Sequence, residues 1–244
     1  MNTGQEGDAC FTVHKFRTVT EHFWSSLQES QVWFSPLQQL NDPYDCQIDL
    51  IRAFKVAHGE NDAGLDPGRP VAAHIMQRAS TCGVFSVCSG EIIGSRERLM
   101  WSHYGGNHAG VCLTYVIPDS IASQLIGTAP VRYGEESLIE AIRQVDFRRR
   151  IDFQAAQPVL TAYLTTKARE WEYESESRLI AFAPGSVTFE RSWLRQVCFG
   201  LRTPLDVRSK ITQGLKDFGY ADCKLAEVFH AETGVFDLGI REVG

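Results

Sequence analysis

Residues 167–182 read KAREWEYESESRLIAF, and four carboxylates, Glu170, Glu172, Glu174 and Glu176, fall within seven positions. Like charges a few ångströms apart repel, so a chain that gathers them either leaves them solvated or uses them. From about Tyr173 the stretch reads as a strand. Alternation then sets Glu174, Glu176 and Arg178 on one face and Tyr173, Ser175, Ser177 and Leu179 on the other. One account is an exposed edge strand whose charges prevent edge-to-edge pairing. The other is a paired-carboxylate site whose field is balanced by Lys167, Arg169 and Arg178. The arginine in register and the apolar run over 179–182 favour the site, with both carboxylates expected to be partly solvated.

A second concentration lies over 100–110, MWSHYGGNHAG, which gathers Trp101, His103, Tyr104, Asn107 and His108 around a helix end and a tight turn. The two histidines lack a His-x-x-x-His spacing and a third ligand, so a metal is not expected there. Trp101 can serve as a core anchor, whereas Tyr104 offers a stacking face with a hydroxyl and His103 a group that titrates near neutrality. A third concentration, Asn41, Asp42, Tyr44 and Asp45 around Pro43, follows a strand end, where binding groups often sit. Gly-x-Gly-x-x-Gly, Walker A, Gly-x-Ser-x-Gly and His-Glu-x-x-His motifs are all missing.

These residues need a scaffold. A first strand is expected over 11–17, with His14 and Phe16 on one face and Lys15 and Arg17 on the other. Thr20 is placed to cap a helix to about 29, and a short strand over 32–35 ends at Pro36. Residues 58–70, HGENDAGLDPGRP, form the clearest loop, followed by a short helix and a strand over 83–88. A helix over 96–104 stops at Gly105 and Gly106, and a strand over 110–117 ends at Pro118. Residues 131–133 suit a short pairing segment. Residues 135–164 read as largely helical, interrupted at Pro158, with Arg148, Arg149 and Arg150 on a solvated face. Strands over 187–189 and 196–200, a helix over 206–218, and strands over 225–229 and 235–240 complete the chain. Strands follow one another directly too often for a βαβ series, which predicts one α+β domain over 1–244 with two sheets.

Bulk properties set the limits. The 244 residues are 43% hydrophobic and 22% charged, which excludes a disordered chain or a coiled coil. A net charge of -6 argues against non-specific binding of nucleic acid by the whole surface. No apolar run reaches membrane-spanning length and the first residues lack a signal-peptide layout. Seven cysteines without a Cys-x-x-Cys pair, several in apolar runs (Cys82, Cys88, Cys112, Cys198), suit a reducing cytoplasm.

The blocks HKF, WFSPLQQLNDPYD, GVFSVC, LMWSHYGGNHAGVCL, KAREWEYESESRLI and VCFG resemble the bacterial family catalogued as domain of unknown function 2971. More distantly, the chain resembles ADP-ribosyltransferases, a fold in which a split β-sandwich grips NAD. His14, Lys15 and Arg17 stand where that fold has its first-strand basic residue, Phe34-Ser35 where it has an aromatic-serine segment, and Glu174-Ser175-Glu176 matches its late Glu-x-Glu. Asn41-Asp42-Pro43 has no counterpart.

What the resemblance implies is an enzyme that uses NAD as substrate. It would act as a toxin or phage-defence effector on a protein or nucleic-acid acceptor, with an antitoxin or partner protein and no membrane association. Glu176 would stabilise the charge developing at the ribose, and Glu174 would orient or deprotonate the acceptor. Tyr104 would stack on nicotinamide, with His103 beside it, while Lys15, Arg17 or Arg178 neutralise diphosphate. His14, Ser35, Asn41, Asp42, Asp45, Trp101 and His108 complete the expected binding set, and Lys15, Asn41, Tyr104 and Glu176 should share one pocket. Two alternatives stand beside this reading: a non-catalytic nucleotide- or nucleic-acid-binding module, and a hydrolase using the carboxylates with a divalent metal.

Overall fold

The computed structural model describes residues 10–59, 68–90, 95–145 and 153–243. β1 (Cys10–Arg17) leads to α1 (Glu21–Gln28), whose first turn is capped by the Thr20 hydroxyl accepting from the Phe23 N–H. β2 (Gln31–Pro36) is followed by the turn carrying Asn41 to Asp45, then by α2 (Leu50–His58) and α3 (Gly68–Ala79). β3 (Gly83–Cys88), α4 (Ser95–His103), β4 (Val111–Pro118), β5 (Gly127–Pro130) and β6 (Arg132–Tyr133) come next. The helices α5 (Glu136–Arg143) and α6 (Phe153–Thr165) precede β7 (Thr166–Lys167), β8 (Glu176–Ala181) and β9 (Gly185–Thr188). The chain closes through β10 (Leu194–Phe199), α7 (Leu205–Asp217), β11 (Lys224–His230) and β12 (Leu238–Val243).

Ten strands form one hydrogen-bonded sheet, along the path β12-β11-β10-β4-β1-β3-β2-β9 with β8 and then β5 added beside β3, and β6 and β7 pair parallel in a separate two-stranded sheet. The path forks at β3. β1 and β4 pair antiparallel over eight positions, and β3 and β8 over six. β1 meets β3 only at His14 opposite Cys88, while β2 meets β3 only through Ser35 and Pro36. Within this path β10 and β11 form the parallel pair, joined by α7, so the α+β class holds without doubly wound topology.

Alternation along the strands sorts the core. Val13, Leu113 and Val197 of one arm share an apolar cluster with Phe34, Phe85 and Leu179 of the other, closed by Phe23 and Leu27 of α1 and Ile211 and Leu215 of α7. Val84 and Ile180 point the opposite way, onto α2, α3, α5 and α6. On the first arm, Phe16, Cys112 and Cys198 pack against Met100 and Trp101 of α4. Gly110 lets the turn after α4 lie on β1, because a Cβ there would overlap the Arg17 carbonyl oxygen.

Several sequence expectations change. α2 was not expected, although Asp49 caps it and Leu50, Ala53 and Phe54 bury one face. The loop expected over 58–70 lies outside the described residues at 60–67, and its last three residues begin α3. Pro158 sits inside α6 without ending it. It follows the first turn, where the missing N–H removes a single intrahelical bond. Residues 148–150 lie outside the described residues. The last strand starts three residues later than expected, after a turn in which the Thr233 hydroxyl bonds Asp237.

The largest change falls on the acidic stretch. Residues Arg169–Glu174 form a 3-10 turn, Ser175 takes a left-handed conformation (φ 45°), and the strand begins only at Glu176. A carboxylate run is a poor strand former. Curling it carries Glu174 and Glu176 back to a common cation.

Candidate functional site

That cation is Lys167, the last residue of β7. Its Nζ lies 2.5 Å from Glu174 Oε2, 2.8 Å from Glu176 Oε2 and 3.5 Å from Asp45 Oδ2. Below it Arg178, fully buried on β8, donates from Nε to Glu176 Oε1 at 2.8 Å and from Nη2 to both Asp45 oxygens at 2.8 and 2.7 Å. Its Nη1 reaches the Leu164 carbonyl at 2.7 Å and Cys46 Sγ at 3.0 Å. Two of the chain's left-handed non-glycine residues, Cys46 (φ 56°) and Ser175 (φ 45°), adjoin these acids, so backbone strain is spent on aiming them.

Three carboxylates face two cations, leaving one excess negative charge in a buried setting. Burial alone would raise the Glu176 carboxyl, but Arg178 and then Lys167 outweigh it and hold Glu176 well below the usual carboxylate range. Glu174 goes the other way: burial pushes it up, against the pull of Lys167 and of the Tyr104 hydroxyl. Lys167 is held above its ordinary value because Glu176 and Glu174 overcome the cost of its burial. The expectation of partly solvated carboxylates is therefore corrected. Glu174 and Glu176 are each 4% exposed, while Glu170 and Glu172 remain on the surface.

A cavity of about 240 Å³ opens where β1, β2 and β3 diverge. His14, Lys15 and Phe16 line it from β1, Trp33 and Ser35 from β2, and Ser86 to Cys88 from β3. Asn41 and Asp45 contribute from the turn, Tyr104 from the end of α4, and Lys167, Glu174 and Glu176 from the far wall. Lys15, Asn41, Tyr104 and Glu176, distant in sequence, thus share one cavity. Tyr104 joins its wall to the ion cluster, since its hydroxyl donates to Glu174 Oε1 at 2.5 Å and accepts from Asn41 Nδ2 at 3.0 Å. Burial and that bond push the phenol above its ordinary range, so it stays a donor. Lys15 donates to the Ser86 carbonyl at 2.6 Å, and burial followed by the Arg17 charge lowers it to about 8. His14, whose Nδ1 pairs with the Thr114 hydroxyl at 3.0 Å, is lowered by burial.

Other expected residues stand apart from the cavity. Arg17 turns to the Ser26 hydroxyl, and Trp101 is a core anchor whose ring meets Phe16 edge-on. His108 stacks on Trp101 and bonds Ser102, and His103 shares a hydrogen bond with the Tyr173 hydroxyl at 2.9 Å. Asp42 accepts from Trp171 Nε1 at 2.7 Å and so ties the Asn41 turn to the 3-10 turn. Arg178 acts beneath the cavity, through Glu176 and Asp45. Arg169, expected to balance the acids, pairs with Glu136 on the surface. The point where the three carboxylates converge is filled by the Lys167 ammonium, and among the described residues no group of three His, Cys, Asp or Glu is set to hold a metal. Sequence reasoning treated Trp33 only as part of a strand, although a tryptophan two residues before Ser35 shares its face.

Residues 100–179 match the family described as protein of unknown function (DUF2971). The match contains Tyr104, Lys167, Glu174, Glu176 and Arg178, whereas His14, Lys15, Ser35, Asn41 and Asp45 lie outside it. No curated protein and no solved structure matches the chain. Among the described residues no helix is long and apolar enough to cross a membrane.

Proposed function

We propose that this cavity is the active site of an ADP-ribosyltransferase-like enzyme that takes NAD as substrate. The carrying observation is the Glu174–Glu176 pair on one wall, sharing Lys167, with His14, Lys15 and Ser35 on the strands opposite. The fork between two sheet arms supports the same reading, because it leaves a cleft of the kind a split β-sandwich would use to grip a dinucleotide.

In this reading the C1′–N bond to nicotinamide breaks with both electrons leaving on the ring nitrogen, so nicotinamide departs neutral. The ribosyl carbon left behind is oxocarbenium-like. Glu176, kept ionised by Arg178 and Lys167, supplies fixed negative charge to that carbon's side of the cavity. Glu174 binds a proton more readily, and suits the general base that takes it from an incoming acceptor hydroxyl as the new C1′–O bond forms. Two acids whose surroundings drive their proton affinities apart are the usual mark of divided acid–base duties. Lys15 supplies positive charge for phosphate oxygens, and the excess negative charge of the cluster suits the pyridinium ring before cleavage.

A second reading has an observation of its own. Each oxygen of Glu174 and Glu176 already accepts from a protein donor, which favours a non-catalytic nucleotide-binding module. Incubating the protein with NAD labelled in the nicotinamide ring and in the adenine, with and without cell lysate, separates the two. Release of nicotinamide, with adenine label on water-derived ADP-ribose or on a macromolecule, is expected. Tight NAD binding without nicotinamide release under either condition selects the binding module.

A further inference from the structure

Trp33 is 51% exposed at the rim of the cavity. Alternation along β2 sends Phe34 into the apolar cluster and leaves Trp33 and Ser35 facing the cavity. Its cross-strand partner on β9 is Ser186, too small to cover an indole. On the other side β3 meets β2 only at Ser35 and Pro36, so no rung of β3 runs beside Trp33. The other four tryptophans all have ring partners: Trp24 with Phe23, Trp101 with Phe16, Trp171 with Tyr173 and Trp193 with Phe189. Among the described residues Trp33 has neither an aromatic or cationic neighbour nor an acceptor for its Nε1–H. A large indole left open beside a built cavity, with ring face and donor both free, is prepared for a planar partner.

Cavity size says which part of a ligand that is. A volume of about 240 Å³ lies below the usual range for a site enclosing a whole ligand, roughly 300–1,000 Å³. A dinucleotide placed with one end inside must therefore leave its other end at the rim. We infer that Trp33 is the stacking platform for the purine base of the ligand, a positioning residue that selects nucleotides over bare sugar phosphates. Assigning that base to the adenine of NAD rests on the function proposed above; the platform itself requires only a purine nucleotide.

Calorimetric binding of NAD, AMP and ribose 5-phosphate to the parent, Trp33→Ala and Trp33→Phe tests this. Base–aromatic stacking implies a loss of about tenfold or more in affinity for NAD and AMP in Trp33→Ala. Trp33→Phe should retain most of that affinity, and ribose 5-phosphate should bind all three proteins alike. Because the side chain is half exposed, melting curves should coincide. The inference is overturned if AMP does not bind the parent, if Trp33→Ala binds AMP as the parent does, or if ribose 5-phosphate loses as much as AMP. AMP held through Trp33 with no nicotinamide released from NAD keeps the platform and removes the transferase. Nicotinamide release with an unchanged KM in Trp33→Ala does the reverse.

Discussion

Replacing Lys167 by methionine removes the one cation that touches all three buried acids. Asp45 and Glu176 keep Arg178, but Glu174 keeps only the Tyr104 hydroxyl, so Glu174 becomes the orphaned charge. Deleting one partner of a buried ion pair costs about 3–5 kcal/mol. At about 2–4 °C per kcal/mol for a chain of this size, Tm should fall by about 6–20 °C near pH 7.5. The sign of the pH dependence follows from Glu174. A carboxyl raised in the folded state costs stability when ionised, and that cost fades as pH falls toward its unfolded value of about 4.3. The gap between parent and variant should therefore narrow from pH 7.5 to pH 5. Adding Glu174→Gln to Lys167→Met removes the orphan and should restore more than half of the loss. Thermal melts of the three proteins at both pH values suffice. A single variant melting within about 2 °C of the parent, or a gap that stays constant with pH, would refute the account of Lys167 as the cluster's keystone.

Glu176→Gln should abolish nicotinamide release, a loss of about a hundredfold or more, and should also lower stability, because Gln returns no charge to Arg178; NAD turnover at the parental rate excludes the mechanism. Glu174→Gln should keep NAD hydrolysis while reducing transfer, read as free ADP-ribose against labelled acceptor. Tyr104→Phe removes a donor to Glu174, so the acidic limb that Glu174 sets in a pH–rate profile of transfer should move to higher pH; an unmoved limb separates Tyr104 from the base. Lys15, lowered to about 8, costs stability while protonated. That cost disappears as pH rises from about 8 toward the unfolded value near 10.4, so the parent should gain stability across this window relative to Lys15→Met, as urea midpoints would show.

The elements with clean periodicity were legible. β1, β3, β4 and α7 emerge from alternation or amphipathic spacing, and α1 from its threonine cap, because local sequence decides local structure there. The acidic stretch was legible in composition but not in shape. That Glu174 and Glu176 act together could be read from their spacing, yet the 3-10 turn that unites them is imposed by Lys167 on a separate two-residue strand. Likewise Arg178 in register with Glu176 was visible, whereas its grip on Asp45, more than a hundred residues earlier, depends on packing between α6 and the Asn41 turn. Arg17, His103 and His108 lie near site elements in sequence, while their hydrogen-bond partners, Ser26, Tyr173 and Ser102, lie outside the cavity lining.

The joint between the sheet arms also has a consequence in time. β1 waits for β4, about a hundred residues downstream, and β3 waits for β8 at a similar separation. Such distant pairings fold slowly, since loop-closure entropy is spent before any contact repays it. On a ribosome adding about 5–20 residues per second, roughly 5–20 s separate the synthesis of β3 from that of Glu176. Through that interval the nascent chain holds strands of both arms with a single rung between them and no cavity. Whatever chemistry the cavity performs is withheld until β8 emerges, so a chain cut short before Glu176 should be inert as well as unstable.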